Sequence, residues 1–173
     1  MKAKSLFGVI LFVAVSLCTR AQSQLPQFVS FSPEADGVSL ADATIGYSEQ
    51  EYEGVKMAIE NLRDDMKRVL GQKPQTSNLK PQILIGTLGK NKDIDRLKLP
   101  DLKGKREKFI ITTLPSANSQ KPIAKTIVIA GSDKRGTIYG IYELSRQLGV
   151  SPWYWWADAP VAQHAQAWVK SGT

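Results

Sequence analysis

Two short apolar runs set between turn residues constrain this chain more than any other feature: Gln82-Ile83-Leu84-Ile85-Gly86-Thr87 and Thr126-Ile127-Val128-Ile129-Ala130. Such a run reads as a strand buried in a sheet, and a buried strand needs helices to cover it. Residues 48–71 supply the clearest helix. Ser48 and Glu51 form a capping-box pattern, and Val55, Ala58, Ile59, Leu62, Met66, Val69 and Leu70 recur at helical spacing until Gly71. The opposite face carries Glu53, Lys56, Glu60, Arg63, Asp64 and Lys67, so this helix covers a sheet on one side only. Residues 136–148 predict a second helix, with Ile138, Ile141, Tyr142, Ser145 and Leu148 on one face. Residues 28–43 predict one or two strands turned at Asp36-Gly37, 91–97 a short helix, 108–114 a further strand and 115–122 a loop. The expected fold class is α/β (α+β), a mixed β-sheet with helices packed against it.

The first residues read differently. Lys2 and Lys4 precede an apolar stretch from Leu6 to Leu17, and Thr19-Arg20-Ala21 offers small residues where a signal peptidase cuts. Residues 1–21 are therefore expected to be a signal peptide, and the protein to be exported to the periplasm or the extracellular space. The stretch is shorter than the roughly 20 apolar residues a spanning helix needs, so no membrane association is expected after cleavage. A lipid anchor on Cys18 is disfavoured by Leu17, where a lipobox places Gly, Ala or Ser. Cleavage leaves residues 22–173, enough for one domain, and removes the only cysteine, so stability must come from packing. It also lowers the net charge from +7 to +4, since Lys2, Lys4 and Arg20 leave with no acid. The remaining basic residues are scattered. The one local cluster, Lys103, Lys105, Arg106 and Lys108, reads as a solvated loop, and no nucleic-acid partner is expected.

The segment Ala130-Gly131-Ser132-Asp133-Lys134-Arg135-Gly136 joins a strand to a helix through glycines. Backbone amides at such a helix start can hold an anion. The spacing, however, is neither G-x-G-x-x-G nor a P-loop, so a tight turn with close packing is the better reading. Asp133, Glu143 and Asp158 are candidate hydrolytic carboxylates by residue type only. His164 is the sole histidine, which leaves no His-based metal cluster, and Ser132 sits in no nucleophile elbow. No catalytic residue, metal or cofactor is expected in this chain. The other outlier is Trp153-Tyr154-Trp155-Trp156, which holds three of the four tryptophans. Indole faces stack on sugars or bury large areas at interfaces. A free-standing carbohydrate-binding module built on these rings and a scaffold without ligand are the competing readings.

The run Ala130-Gly131-Ser132-Asp133-Lys134-Arg135-Gly136-Thr137-Ile138-Tyr139-Gly140-Ile141-Tyr142, with Gly149-Val150-Ser151-Pro152-Trp153-Tyr154-Trp155-Trp156-Ala157-Asp158 and Ile83-Leu84-Ile85-Gly86-Thr87-Leu88-Gly89-Lys90, closely resembles the N-terminal domain of glycoside hydrolase family 115, the xylan α-1,2-glucuronidases. Before Ile83 the likeness is one of pattern, and Arg106 departs from it where the family carries an aromatic residue. The resemblance implies an N-terminal α/β domain over residues 22–150 and an aromatic linker over 151–173. That linker would lead into a downstream (β/α)8 barrel, which carries the acid and base and is the expected partner. The parent would remove (4-O-methyl)glucuronic acid from glucuronoxylan with inversion. On this footing Asp133, Arg135 and Tyr139 are candidates for the substrate groove, and Trp153, Tyr154, Trp155 and Trp156 for the barrel interface.

Overall fold

A computed structural model of the chain describes residues 27–79, 81–115 and 125–172. The expected signal peptide and most of the expected 115–122 loop lie outside the described residues, as does the Trp155 side chain. The two apolar runs are the adjacent central strands of a five-stranded sheet. Its members are β3 (Thr44–Gly46), β4 (Gln75–Thr76), β5 (Ile83–Thr87), β6 (Phe109–Pro115) and β7 (Lys125–Gly131), in the order β4-β3-β5-β7-β6. Every neighbouring pair is parallel except β6 with β7, so the sheet is mixed, with one antiparallel edge.

The register divides the apolar residues between two faces. Ile83 lies beside Ile127 and Ile85 beside Ile129. With Ile45 and Ile111, these four isoleucines belong to the larger core. The alternate positions Val128 and Ala130 turn the other way, toward Ile94 and Leu102. Helix α1 (Glu53–Leu70) and helix α3 (Lys134–Gln147) cover the first face. Val55, Ile59, Leu62, Met66 and Val69 of α1 are all fully buried, each stabilising the fold by about 1.5–3 kcal/mol. The helix stops at Gly71, whose φ of 78° suits only glycine without strain and whose N–H reaches the Lys67 carbonyl at 2.9 Å. The second face is covered more thinly, by the one-turn helix α2 (Lys92–Arg96), capped by Asn91. A cleft of about 740 Å³ remains there, with Leu84 and Val128 among its lining.

Three expectations need correcting. The capping box does not cap: α1 begins at Glu53 behind Tyr52, and the Glu51 carboxylate points instead to the end of β5. The buried face of α3 is rotated from the expected stripe, because Gly140, Ile141, Leu144 and Ser145 face the core while Tyr142 is 44% exposed. Small glycines on the inner face let α3 approach the sheet, which hydrophobic spacing alone does not register. The third concerns residues 151–173, expected as a linker; the expected strands on either side of Asp36-Gly37 are present as β1 (Val29–Ser30) and β2 (Val38–Ser39). The strand β8 (Trp168–Val169) lies between them, antiparallel to both, so that Val29 and Val38 each oppose Val169. Part of the segment expected to be a linker thus returns to the domain, with Ala167 and Val169 fully buried.

Candidate functional site

The carboxyl ends of β5 and β7 meet the start of α3, and this edge is where open α/β sheets place their ligands. Gly131 ends β7, and a Cβ built on it would lie 2.1 Å from the Thr137 backbone nitrogen. The same construction on Gly136 meets the Lys108 carbonyl oxygen at 2.3 Å. The glycines of the turn therefore serve contact between backbones, in keeping with the packing reading. The helix start is also closed to an external anion by the chain's own carboxylate. Asp133 is the N-cap of α3: its Oδ1 accepts from Gly136 N at 2.8 Å, and its Oδ2 accepts from Glu107 N at 2.8 Å.

Those N–H donors, Gly136 first and Glu107 next, hold the Asp133 carboxyl below the usual aspartate value of 3.8. A group whose pKa is depressed on folding adds stability that is present above its unfolded value and is lost as pH falls through its folded value. Asp133→Ala should therefore cost about 1–2 kcal/mol near pH 7, as N-cap losses do. The gap from wild type should narrow below about pH 4. Urea denaturation of both proteins at pH 7 and pH 3 checks this; a gap of equal size at both would refute the charged-cap account.

Arg135 projects from the first turn of α3, two-thirds exposed, and pairs with Glu107 Oε1 at 2.8 Å, which holds the guanidinium still more firmly protonated. Tyr139 stands one turn further on, 45% exposed. The loop before β6 is fastened to this turn on its other side. Lys108 N donates to Ser132 Oγ at 3.0 Å and Ser132 N to the Lys108 carbonyl at 2.8 Å. Beneath it runs a buried polar chain. The Glu51 carboxylate accepts from Tyr52 N at 3.0 Å and Thr87 N at 2.8 Å, and Thr87 Oγ1 lies 2.7 Å from Thr137 Oγ1. These groups tie the starts of α1 and α3 to the end of β5. Sequence reasoning missed them because Glu51 also fitted a capping pattern and the two threonines are fifty residues apart.

Asp133, Arg135 and Tyr139 thus share one edge, while the aromatic run lies elsewhere. Trp153 to Trp156 follow the far end of α3, whose fourteen residues span about 20 Å. Trp153 and Trp156 are 66% and 84% exposed, whereas Tyr154 packs partly into the core with Arg68 4.8 Å above its ring. The two sets of candidates therefore present different surfaces. Glu143 is engaged by Arg146 at 2.7 Å, which holds its carboxyl low, and Asp158 ends the short helix α4 (Tyr154–Ala157). His164 stacks on Phe31 with ring centres 3.5 Å apart. Among the described residues no group of His, Cys, Asp or Glu is arranged to hold a metal ion. Asp133, with both oxygens already accepting backbone N–H groups, is not placed to move a proton.

Comparison with known proteins gives this arrangement its relatives. A solved structure described as a novel family GH115 4-O-methyl-α-glucuronidase with specificity for decorated arabinogalactans matches with a TM-score of 0.62 and 33% identity, over 72% of this chain and 16% of that one. The present chain therefore spans about a sixth of that relative. CpGH84D matches at 14% identity and a TM-score of 0.47, over 86% of this chain and 23% of that one, too distant to carry an argument. No curated protein matches in sequence. The family model for the glycosyl hydrolase family 67 N-terminus matches residues 35–144, which include α1, the whole five-stranded sheet and nearly all of α3. As that match takes in well over half of the residues, this chain belongs to the glycosyl hydrolase family 67 N-terminus family.

Proposed function

We propose that this chain is the non-catalytic N-terminal domain of an exported family 115 α-glucuronidase, whose downstream barrel removes (4-O-methyl)glucuronic acid from glucuronoxylan with inversion. The observation that carries this reading is the likeness to the family 115 enzyme at 33% identity and a TM-score of 0.62. That relative's stated specificity makes decorated arabinogalactan the alternative substrate. The engagement of Asp133 and Glu143 in local structure supports placing the acid and base outside this segment. An inverting enzyme needs two carboxyl groups roughly 6.5–9.5 Å apart across a cleft. The free-standing carbohydrate-binding module is not favoured, because the family match is to an enzyme's N-terminus.

The test is to express the full-length parent that this reading requires and incubate it with glucuronoxylan and with uronate-decorated arabinogalactan. Proton NMR in the first minutes should show free uronic acid appearing as the β-anomer, and the present chain alone should release none. Release of a neutral sugar, or of the α-anomer first, would defeat the proposal.

A further inference from the structure

The loop of residues 103–108 and the start of α3 concentrate positive charge on one fastened surface. Residues 22–173 hold twenty basic and sixteen acidic side chains. Lys103, Lys105, Arg106, Lys108, Lys134 and Arg135 stand there against Asp101, Glu107 and Asp133, so three of the net four charges belong to this rim. Its acids are already engaged. Asp133 accepts two backbone N–H groups, Glu107 pairs with Arg135, and Asp101 lies 3.9 Å from Lys108. Lys103, Lys105 and Lys134 are exposed and form no ion pair among the described residues, and Arg106, also exposed, acts only through its field on Asp133. The loop is held in shape by three hydrogen bonds to residues 132–133 and by left-handed turns at Gly104 and Glu107. The backbone that carries Glu107 and Lys108 is thus fastened beside the start of α3, whose next turn bears the exposed ring of Tyr139.

We propose that this rim binds the carboxylates of an acidic polysaccharide, with Lys103, Lys105, Arg106 and Lys134 as the electrostatic contacts and Tyr139 as a sugar-stacking face. The assignment to a polysaccharide rests on the reading of the parent as a glucuronidase. Ammonium and guanidinium groups recognise carboxylates directly, and a set of exposed cations raises the local concentration of a polyanion. The interaction is salt-sensitive, since exposed charges are screened over about 8 Å at physiological ionic strength. In the parent, such a rim would hold uronate-bearing chains near the catalytic domain without taking part in bond cleavage.

Affinity electrophoresis of the full chain tests this, with 4-O-methylglucuronoxylan in the gel and the same polymer after carboxyl reduction as the comparison. Glucuronoxylan should retard the chain. Carboxyl reduction, or the triple change Lys103→Glu, Lys105→Glu and Arg106→Glu, should weaken retardation on the order of tenfold, with the thermal midpoint of the variant unchanged. Should charge reversal unfold the protein, the triple change to Gln is read in the same way. Equal retardation by both polymers, no retardation at all, or a variant that binds like wild type would overturn the rim. Tighter binding of a single-stranded oligonucleotide or of anionic vesicles would overturn the polysaccharide assignment. Uronic acid release by the parent, measured in parallel, separates the two proposals: release without binding here defeats the rim alone, and binding without release defeats the glucuronidase reading.

Discussion

Gly131→Ala is expected to destabilise the chain by at least about 3 kcal/mol, the upper range for overpacking, because the added carbon meets backbone that cannot move aside. Its Cβ would lie 2.1 Å from Thr137 N, 2.2 Å from Thr137 Oγ1 and 2.6 Å from Thr137 Cα. The first turn of α3 has no direction in which to retreat. Gly136 holds it against the Lys108 carbonyl, and Gly140 packs against Ile129, where a Cβ would come within 2.9 Å of Cγ2. Urea denaturation measures the loss. Gly54→Ala is the internal control: its nearest neighbour would be 3.6 Å away, inside α1. It should leave stability within about 1 kcal/mol of wild type, in the direction of gain. A Gly131→Ala protein that unfolds at the wild-type midpoint would show that the β7 to α3 turn is looser than this packing requires.

The second large effect is expected at Glu51, which is only 4% exposed and accepts hydrogen bonds from two backbone N–H groups. Glu51→Ala leaves the buried Thr87 N–H at the end of β5 without the Glu51 acceptor. Charge-assisted bonds and buried unmet donors each contribute about 1.5–3 kcal/mol, so a loss of about 3 kcal/mol is expected. Glu51→Gln keeps one carbonyl oxygen to accept from Thr87 and should cost about half as much. Chemical denaturation ranks the two variants, and amide hydrogen exchange at Thr87 should accelerate in the alanine variant ahead of the neighbouring β5 amides. Identical stability of the Ala and Gln variants would mean that the bond to Thr87 contributes nothing.

These positions also mark where sequence reading succeeded and where it stopped. The strands β5 and β7 and the helix α1 were legible because their signals are local: an apolar run between turn residues, or a stripe repeating every three to four residues. The turn between β7 and α3 was legible for the same reason, down to the glycines that pack it. The role of Glu51 was not, since its partner lies thirty-six residues away across the sheet edge and the local pattern offered a capping box instead. The candidate residues followed suit. Asp133, Arg135 and Tyr139 were read together on the strength of the family resemblance, and the structure places them at the cap and first turns of α3. Their separation from Trp153 and Trp156 depends on the direction of α3.

The cationic loop shows the same limit in a different form. Read alone, residues 103–108 are a solvated cluster. Only the bonds from Glu107 and Lys108 to Asp133 and Ser132 fasten them beside α3 and turn them into a surface. The sequence alone placed the long elements α1, α3, β5, β6 and β7, the cover of helices over the sheet and the packing role of the glycine turn, because periodicity and steric demand act between near neighbours, whereas the two- and three-residue strands β3, β4 and β8 carry no such pattern. Tertiary contacts alone set β8 between β1 and β2, brought the 103–108 loop against the start of α3, and paired each buried acceptor with its donor. Those outcomes depend on contacts between residues far apart in the chain, for which no local spacing carries a signal.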